Sequence, residues 1–346
     1  MVMPASFTKR TVLVTGGCGF IGSAFAKRAS VAGHTVVVLD AMTYAADPQS
    51  LASNPEILVV RGSITDTELV SALLAKHSID TVVNFAAESH VDRSITDPGE
   101  FMQTNILGVY SLLRASTEYV ATKPPTAAAH FRFVQISTDE VFGSLGNEGH
   151  FNEASSYDPR SPYSASKAAA DHIVSAWHHT YGLATITTYC TNNFGPYQFP
   201  EKFIPHLIQC ALRGEAIPIY GDGSNVRDWI YVEDHVSGIL LALERGVPGA
   251  RYAFGGGNER TNLALAHAIC AMLDKRVPRR DGGSYASQLQ FVTDRLGHDY
   301  RYAIRETRAE RELGYQPTHS FDEALRTTVD WYLNRAGGAG SIEVQR

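Results

Sequence analysis

The sequence predicts an α/β fold, a doubly wound parallel sheet joined to a smaller mixed α/β lobe, and three observations lead there. Short β-branched runs alternate with longer stretches of helical periodicity through the first half of the chain. A glycine-punctuated turn follows the first of those runs. Beyond about residue 192 the alternation weakens, and Pro, Gly and aromatic residues become frequent, as in NNFGPYQFPEKFIP.

Six strands are expected, in the order TVLVT (11–15), TVVVL (35–39), EILVV (56–60), DTVVNFA (80–86), FRFVQIS (131–137) and ATITTYC (184–190). Between them IGSAFAKRASVAG, TELVSALLAKH and TNILGVYSLLRASTEYV carry apolar residues at helical spacing, with Gly33 placed to stop the first. The stretch ATKPPTAAAH (121–130) reads as a surface loop, and Ser161-Pro162 opens a helix over SPYSASKAAADHIVSAWHHTYG. Residues 1–192 are expected to form the sheet domain and 193–346 mainly the lobe. Segments near 228–257, in RDWIYVEDHVSGILLALERG and ARYAFGGG, are expected to return to the main sheet.

At 346 residues, 44% of them hydrophobic, the chain can bury a sizeable core. A formal net charge of −6 gives no electrostatic reason to expect nucleic acid, while a small anionic ligand needs only a local site. The four cysteines are widely spaced without a CxxC pair, so buried free thiols are expected in place of zinc ligands or disulfides. The start MVMPASFTKR lacks the apolar stretch of a secretory signal, and no run approaches a membrane span, so a soluble cytoplasmic protein is expected. The tail RAGGAGSIEVQR is expected to fray.

Three motifs carry chemistry. In TVLVTGGCGFIGS, Gly16, Gly19 and Gly22 flank Phe20 and Ile21 between a strand and a helix, where free N–H donors and the helix dipole favour a pyrophosphate. Asp40 ends the next strand, where an acid accepts hydrogen bonds from a ribose and repels a 2′-phosphate, which favours NAD over NADP; an ordinary turn acid is the alternative. In YSASK, Tyr163 and Lys167 share one helix face, and an ammonium near a phenol favours the phenolate, able to take a proton from a sugar hydroxyl as hydride leaves the same carbon. In STDEVFG, Thr138, Asp139 and Glu140 follow an apolar run, where unpaired charge is costly; they are either solvated turn residues or an acid–base pair. Adjacent His178 and His179 diverge by about 100° on a helix, so a shared metal ion is not expected. Trp229 and Tyr231 read as packing in the lobe.

Together GGCGFIGS, TDEVFG and YSASK resemble an extended short-chain dehydrogenase/reductase. The blocks NFAAESHVDRSI, NNFGPYQFPEKFIP, GDGSNVRDWIYVEDH and FVTDRLGHDYRYAI are similar to the dTDP-glucose 4,6-dehydratase family, and the likeness runs from about residue 11 to 333. The resemblance implies a Rossmann domain with bound NAD, a dTDP-hexose substrate, and a lyase that oxidises C4, eliminates water across C5–C6 and returns hydride to C6. It implies Glu140 as base at C5, Asp139 as acid at C6, and Thr138 with Tyr163 on the C4 oxygen. Two carboxyls serve that pair of tasks when environment separates their pKa values. Arg227 would meet the diphosphate, with a surface pair to Asp228 as the alternative. Asn193, Asn262 and His298 would lie near the nucleotide, and His90, Glu201, Lys202 and Tyr302 near the sugar.

Some positions depart from that family's usual pattern. Ser63, beside Ile64, stands where an aspartate usually meets the adenine, Phe142 replaces a tyrosine, and Thr191 and Phe194 replace a serine and a tyrosine. The resemblance also implies a homodimer through helices around 104–120 and 163–180. A sugar-nucleotide 4-epimerase and a non-catalytic NAD-binding scaffold are the rival readings.

Overall fold

The computed structural model describes residues 8–337. The first seven residues, where no secretory signal is expected, and the tail from Gly338 onward, expected to fray, lie outside the described residues. Seven parallel strands form the main sheet: β1 Thr11–Thr15, β2 Thr35–Asp40, β3 Leu58–Arg61, β4 Thr81–Asn84, β5 Arg132–Ile136, β6 Thr185–Cys190 and β10 Arg251–Phe254. Their spatial order is β10-β6-β5-β4-β1-β2-β3, so the winding reverses between β1 and β4 and opens a crevice at the carboxyl ends of those strands.

Apart from the edge strand β3, both faces of the sheet are buried, which suits its largely apolar strands. Val12 and Val14 of β1 join one apolar layer with Phe25 and Ile239, whereas Leu13 between them joins the opposite layer with Leu74 and Leu112. The first layer is covered by α1 (Phe20–Val31), the second by α2 (Thr67–Lys76), α3 (Val109–Ala121) and α4 (Pro162–Tyr181). A buried ladder crosses the sheet: Thr15 Oγ1 donates to Asn84 Oδ1 at 2.6 Å, and Asn84 Nδ2 donates to Gln135 Oε1 at 2.8 Å. Helix α4 starts with the expected Ser161 cap and Pro162, and Gly182 ends it in the left-handed conformation.

Two expected elements differ in the structure. The segment expected to run as one α-helix from Thr104 begins as a π-helical stretch, Met102–Gly108, before α3. The wider turn aims the Asn105 carboxamide inward, where it bonds both backbone groups of Glu88 and the Ser166 hydroxyl. The expected loop ATKPPTAAAH contains a short helix, Pro125–His130, because proline suits a first helical turn and alanine favours its continuation.

The lobe holds a small sheet of β7 (Asn192–Phe194), β9 (Val226–Tyr231) and β11 (Glu259–Thr261), and a pair of β8 (Ile217–Tyr220) with β12 (Leu289–Val292). Helices α5 (Phe203–Arg213), α7 (Asn262–Arg276) and α8 (Phe321–Gly337) pack around Phe194, Trp229 and Ile269. Of the segments expected to return, ARYAFGGG supplies β10 beside β6. RDWIY does not return, because β9 pairs with β7 and β11; only the helix after it, α6 (Val232–Arg245), comes back and joins the layer under α1. After β10 the chain crosses β9 so closely that a Cβ on Gly256 would lie 1.9 Å from the Trp229 carbonyl oxygen.

Candidate active site

The chemistry-bearing residues gather in and beside that crevice. Gly16 ends β1 at φ +65°, and a Cβ there would lie 2.7 Å from the Ala86 nitrogen after β4, so only glycine lets the two strand ends approach. Helix α1 then starts at Gly19 with no side chain capping it, which leaves the first-turn N–H groups around Phe20, Ile21 and Gly22 as donors for an anion. Asp40 is buried at the end of β2; its Oδ2 accepts the Cys18 N–H at 2.9 Å and its Oδ1 the Met42 N–H at 2.8 Å. Each carboxylate oxygen keeps an acceptor position beyond these, so the donor turn and the acid fit a pyrophosphate and a ribose together. Ser63 Oγ lies 2.8 Å from Thr65 Oγ1, and Ile64 is buried in the layer with Leu39 and Val109.

Carboxyls, hydroxyl and phenol converge after β5. Thr138 caps a single 3₁₀ turn, Asp139–Phe142, and accepts the Glu140 N–H at 3.3 Å. This turn brings both carboxyls to the strand end but gives them different surroundings. Asp139 is 2% exposed, and its Oδ2 is buried without a hydrogen-bond partner. Burial, then the nearby Glu140 charge, pushes its pKa well up, which favours its protonated form. Glu140 is half-buried and raised by burial too, but Arg227 and Lys202 oppose the shift and favour its ionised form.

The phenol corrects one expectation. Tyr163 and Lys167 do share a face of α4, but Tyr163 is pushed well up, by burial first and then by Glu140, with a hydrogen bond to Thr138 easing it. Lys167 Nζ donates to the Ile136 carbonyl at 2.6 Å, and burial lowers its pKa, opposed chiefly by Asp171. In the protein alone, desolvation and like charge outweigh the ammonium one turn away.

The lobe supplies the cationic wall. Arg227 Nη1 donates to the Val226 and Tyr300 carbonyls and Nη2 to the Asp299 carbonyl, while the guanidinium stands 4.5 Å over the Tyr302 ring. The Nε edge and the second Nη2 hydrogen remain, the side-on fork that matches a phosphate. The alternative pairing with Asp228 is not formed: Asp228 binds Arg305 at 2.9 Å. Tyr302 donates to Asp299 Oδ2 at 2.5 Å. His298 bonds Asp294 at 2.7 Å, and burial, with Arg227 and Arg295 nearby, lowers its pKa. Asn262 opens α7, its N–H bonded to the Asn225 carbonyl at 3.0 Å. The Asn193 carboxamide is taken up within the protein, donating to the Thr191 carbonyl at 3.0 Å and meeting His235 Nδ1 at 2.8 Å.

At the other wall His90 caps a short helix and lies 3.6 Å from Glu201, which accepts the Tyr44 hydroxyl at 3.2 Å. Lys202 Nζ donates to the Ser89 carbonyl at 2.8 Å. Trp229 packs against Phe194 and Phe203, and Phe142 against Phe151, Tyr157 and Tyr189. Thr191 is buried with its hydroxyl unpartnered. His178 Nδ1 sits 2.9 Å from the Leu183 carbonyl, a helix-end contact, and among the described residues no group of three or more His, Cys, Asp or Glu is placed to hold a metal.

Sequence reasoning missed three groups. Arg295 forms a two-point pair with Asp92 across the cleft, Asp299 anchors Tyr302, and Asp171 lies beneath Lys167. Only Asp171 left a sequence signal, because it follows Lys167 by the same four residues that separate Lys167 from Tyr163.

The pattern of the GDP-mannose 4,6 dehydratase family matches residues 13–328. A dTDP-glucose 4,6-dehydratase of Xanthomonas campestris pv. campestris is 52% identical over 326 residues, covering 93% of each chain. This chain belongs to the dTDP-glucose 4,6-dehydratase family. Among solved structures, a dTDP-glucose 4,6-dehydratase from Streptomyces venezuelae with NAD bound aligns with a TM-score of 0.86 at 42% identity, over 94% of this chain and 98% of that one. A UDP-glucose 4-epimerase from Thermotoga maritima aligns almost as well, at 0.84, with only 28% identity, over 94% and 99%. Backbone shape is therefore shared by dehydratases and epimerases, and what separates them is read from side chains.

Proposed function

We propose that the protein is an NAD-dependent lyase converting dTDP-glucose to dTDP-4-keto-6-deoxyglucose. The observation that carries this reading is the pair of adjacent carboxyls with different surroundings, Asp139 buried with an unpartnered oxygen and its pKa pushed up, Glu140 opposed in that shift by Arg227 and Lys202. The first-turn N–H groups around Phe20, Ile21 and Gly22 and the Asp40 carboxylate would hold NAD, which would supply a hydride acceptor for C4 and a hydride donor for C6. As the phenolate, a form the Lys167 ammonium and the positive charge of a bound nicotinamide would both favour against the burial that opposes it, Tyr163 takes the C4 hydroxyl proton, with Thr138 sharing the oxygen and fixing it. Once C4 is a ketone the C5 proton is acidic, and Glu140 removes it while Asp139 protonates the departing C6 hydroxyl, which leaves as water. Glu140 then returns a proton to C5. Tyr163 has gained one proton and Asp139 has lost one, so one proton must pass from phenol to carboxylate before the next turnover.

In this reading the Arg227 fork holds the diphosphate, Asn262 and His298 flank the nucleotide, and His90, Glu201, Lys202 and Tyr302 enclose the sugar. Asn193 orients the loop after β6 from behind. Residues 1–192 act as the NAD domain and 193–346 mainly as the sugar-nucleotide lobe. Leu107 and Tyr110, which are exposed, and Trp177 and Tyr181 near α4's end form an aromatic-aliphatic surface suited to a homodimer. Four free buried cysteines suit the cytoplasm.

Incubation with dTDP-glucose in heavy water tests the reaction. A dehydratase places deuterium at C5 and forms a methyl group; an epimerase does neither, and a scaffold leaves the sugar untouched.

A further inference from the structure

Behind the reacting groups lies a second buried polar cluster that none of these steps uses. Tyr163, Lys167 and Asp171 stand four residues apart along α4, a single stripe running from the crevice into the protein. Asp171 is 3% exposed. Its Oδ2 accepts the Ser137 hydroxyl at 2.6 Å and lies 3.4 Å from the Tyr157 hydroxyl, which in turn meets the Tyr189 hydroxyl at 2.7 Å. Its Oδ1 is buried with no hydrogen-bond partner. An acid fixed this firmly yet half-satisfied is costly unless its charge is wanted.

We infer that Asp171 is a positioning residue that keeps Lys167 in its ammonium form, and through Lys167 sets the proton affinity of Tyr163. This rests on the reading of Tyr163 and Lys167 given above. Lys167 is buried, its Nζ donates to a neutral carbonyl, and Asp171 supplies the largest charge in its favour. The groups facing Asp171 are Lys167 on its own helix, Ser137 after β5, Tyr157 in the loop before α4, Tyr189 on β6 and Arg251 on β10. Two of these are cationic. Arg251 is directed to the Tyr157 and Tyr189 hydroxyls and acts on the carboxylate less than Lys167 does. Burial brings the Asp171 pKa up to about 7, so its charge is adjustable near neutrality.

The test compares Asp171→Asn with the parent as holoenzyme, measuring C4 oxidation by nicotinamide absorbance across pH and titrating Lys167 by its side-chain NMR resonance, assigned with Lys167→Arg. Without the carboxylate the ammonium gives up its proton earlier. The Lys167 midpoint and the alkaline limb of the oxidation profile should both move down by about one pH unit, slowing oxidation about tenfold on that limb. Asp171→Glu should restore both. Ser137→Ala, which keeps the carboxylate but removes its nearest donor, should shift both the same way by less, and decides the matter if Asp171→Asn does not fold. A uniform loss of rate with an unmoved limb and an unmoved Lys167 midpoint would mean a packing role only and overturn the inference. If the parent itself fails to oxidise dTDP-glucose, the functional reading fails, while the Lys167 midpoint still reports on Asp171.

Discussion

The Thr138 hydroxyl lies 3.4 Å from Asp139 Oδ1, and the same hydroxyl hydrogen-bonds the Tyr163 phenol. One small side chain therefore touches both the group that, in the proposed cycle, gains a proton and the group that loses one. Thr138→Val keeps the shape and removes that bridge. Multiple-turnover rates should fall about a hundredfold. A single turnover with preprotonated Asp139 should fall less, because the first pass needs no reset. Rapid-mixing measurements of the two regimes separate these effects, and equal losses would remove Thr138 from the return path.

Separated carboxyl roles give a second expectation. In Asp139→Asn with Glu140→Gln, C4 oxidation should persist as a lasting nicotinamide absorbance change, while water loss drops by about a hundredfold or more. In Tyr163→Phe the absorbance change itself should fall by a factor on the order of a hundred to ten thousand. A double variant that still dehydrates at the parental rate would place the acid–base pair elsewhere.

Arg227 offers a third. Its guanidinium spends three hydrogens on backbone carbonyls and keeps one edge unspent, the edge that holds the diphosphate in the proposed function and a division a lysine cannot reproduce. Arg227→Lys should weaken dTDP binding by about tenfold and raise KM by a similar factor, with kcat nearly unchanged. Calorimetric titration with dTDP gives the first number and steady-state kinetics the others.

The fourth concerns stability. Folding raises the Asp171 pKa from 3.8 to about 7, so within that window the folded protein binds a proton that the unfolded chain has released. Stability at this site thus falls as pH rises from the ordinary carboxylate range to about 7 and is level above it. Replacing Asp171 by asparagine removes the dependence. The difference in unfolding free energy, variant minus parent, should grow with pH across that window by an amount on the order of a few kcal/mol. Denaturant titrations at several pH values measure it, and a constant difference would contradict it.

Local patterns in the sequence accounted for most of the scaffold because each rests on short-range physics. Alternating apolar runs, the Ser161-Pro162 start and the Gly182 stop all act within a few residues, and strands β1 to β6 and helix α4 follow from them. What escaped depends on distant partners. Nothing local in RDWIY says that β9 pairs with β7 and β11 and not with the main sheet, and nothing near Asp228 points to Arg305. The Tyr163 pKa shows the same limit in the site: four-residue spacing reveals the lysine, whereas the desolvation and the Glu140 charge that outweigh it come from the assembled fold. The π-helical start at Met102 was equally invisible, since it serves contacts from Asn105 to Glu88 and Ser166.

The crossing at Gly256 contrasts with the rim of the crevice. With its backbone against Trp229 and no room for even a methyl group, this point pins the segment between β10 and β11 to β9. At the rim, by contrast, Arg295 clasps Asp92 and Tyr44 touches Glu201 through side chains alone. Parting those contacts takes rotamer changes only, whereas loosening the crossing would shift main chain.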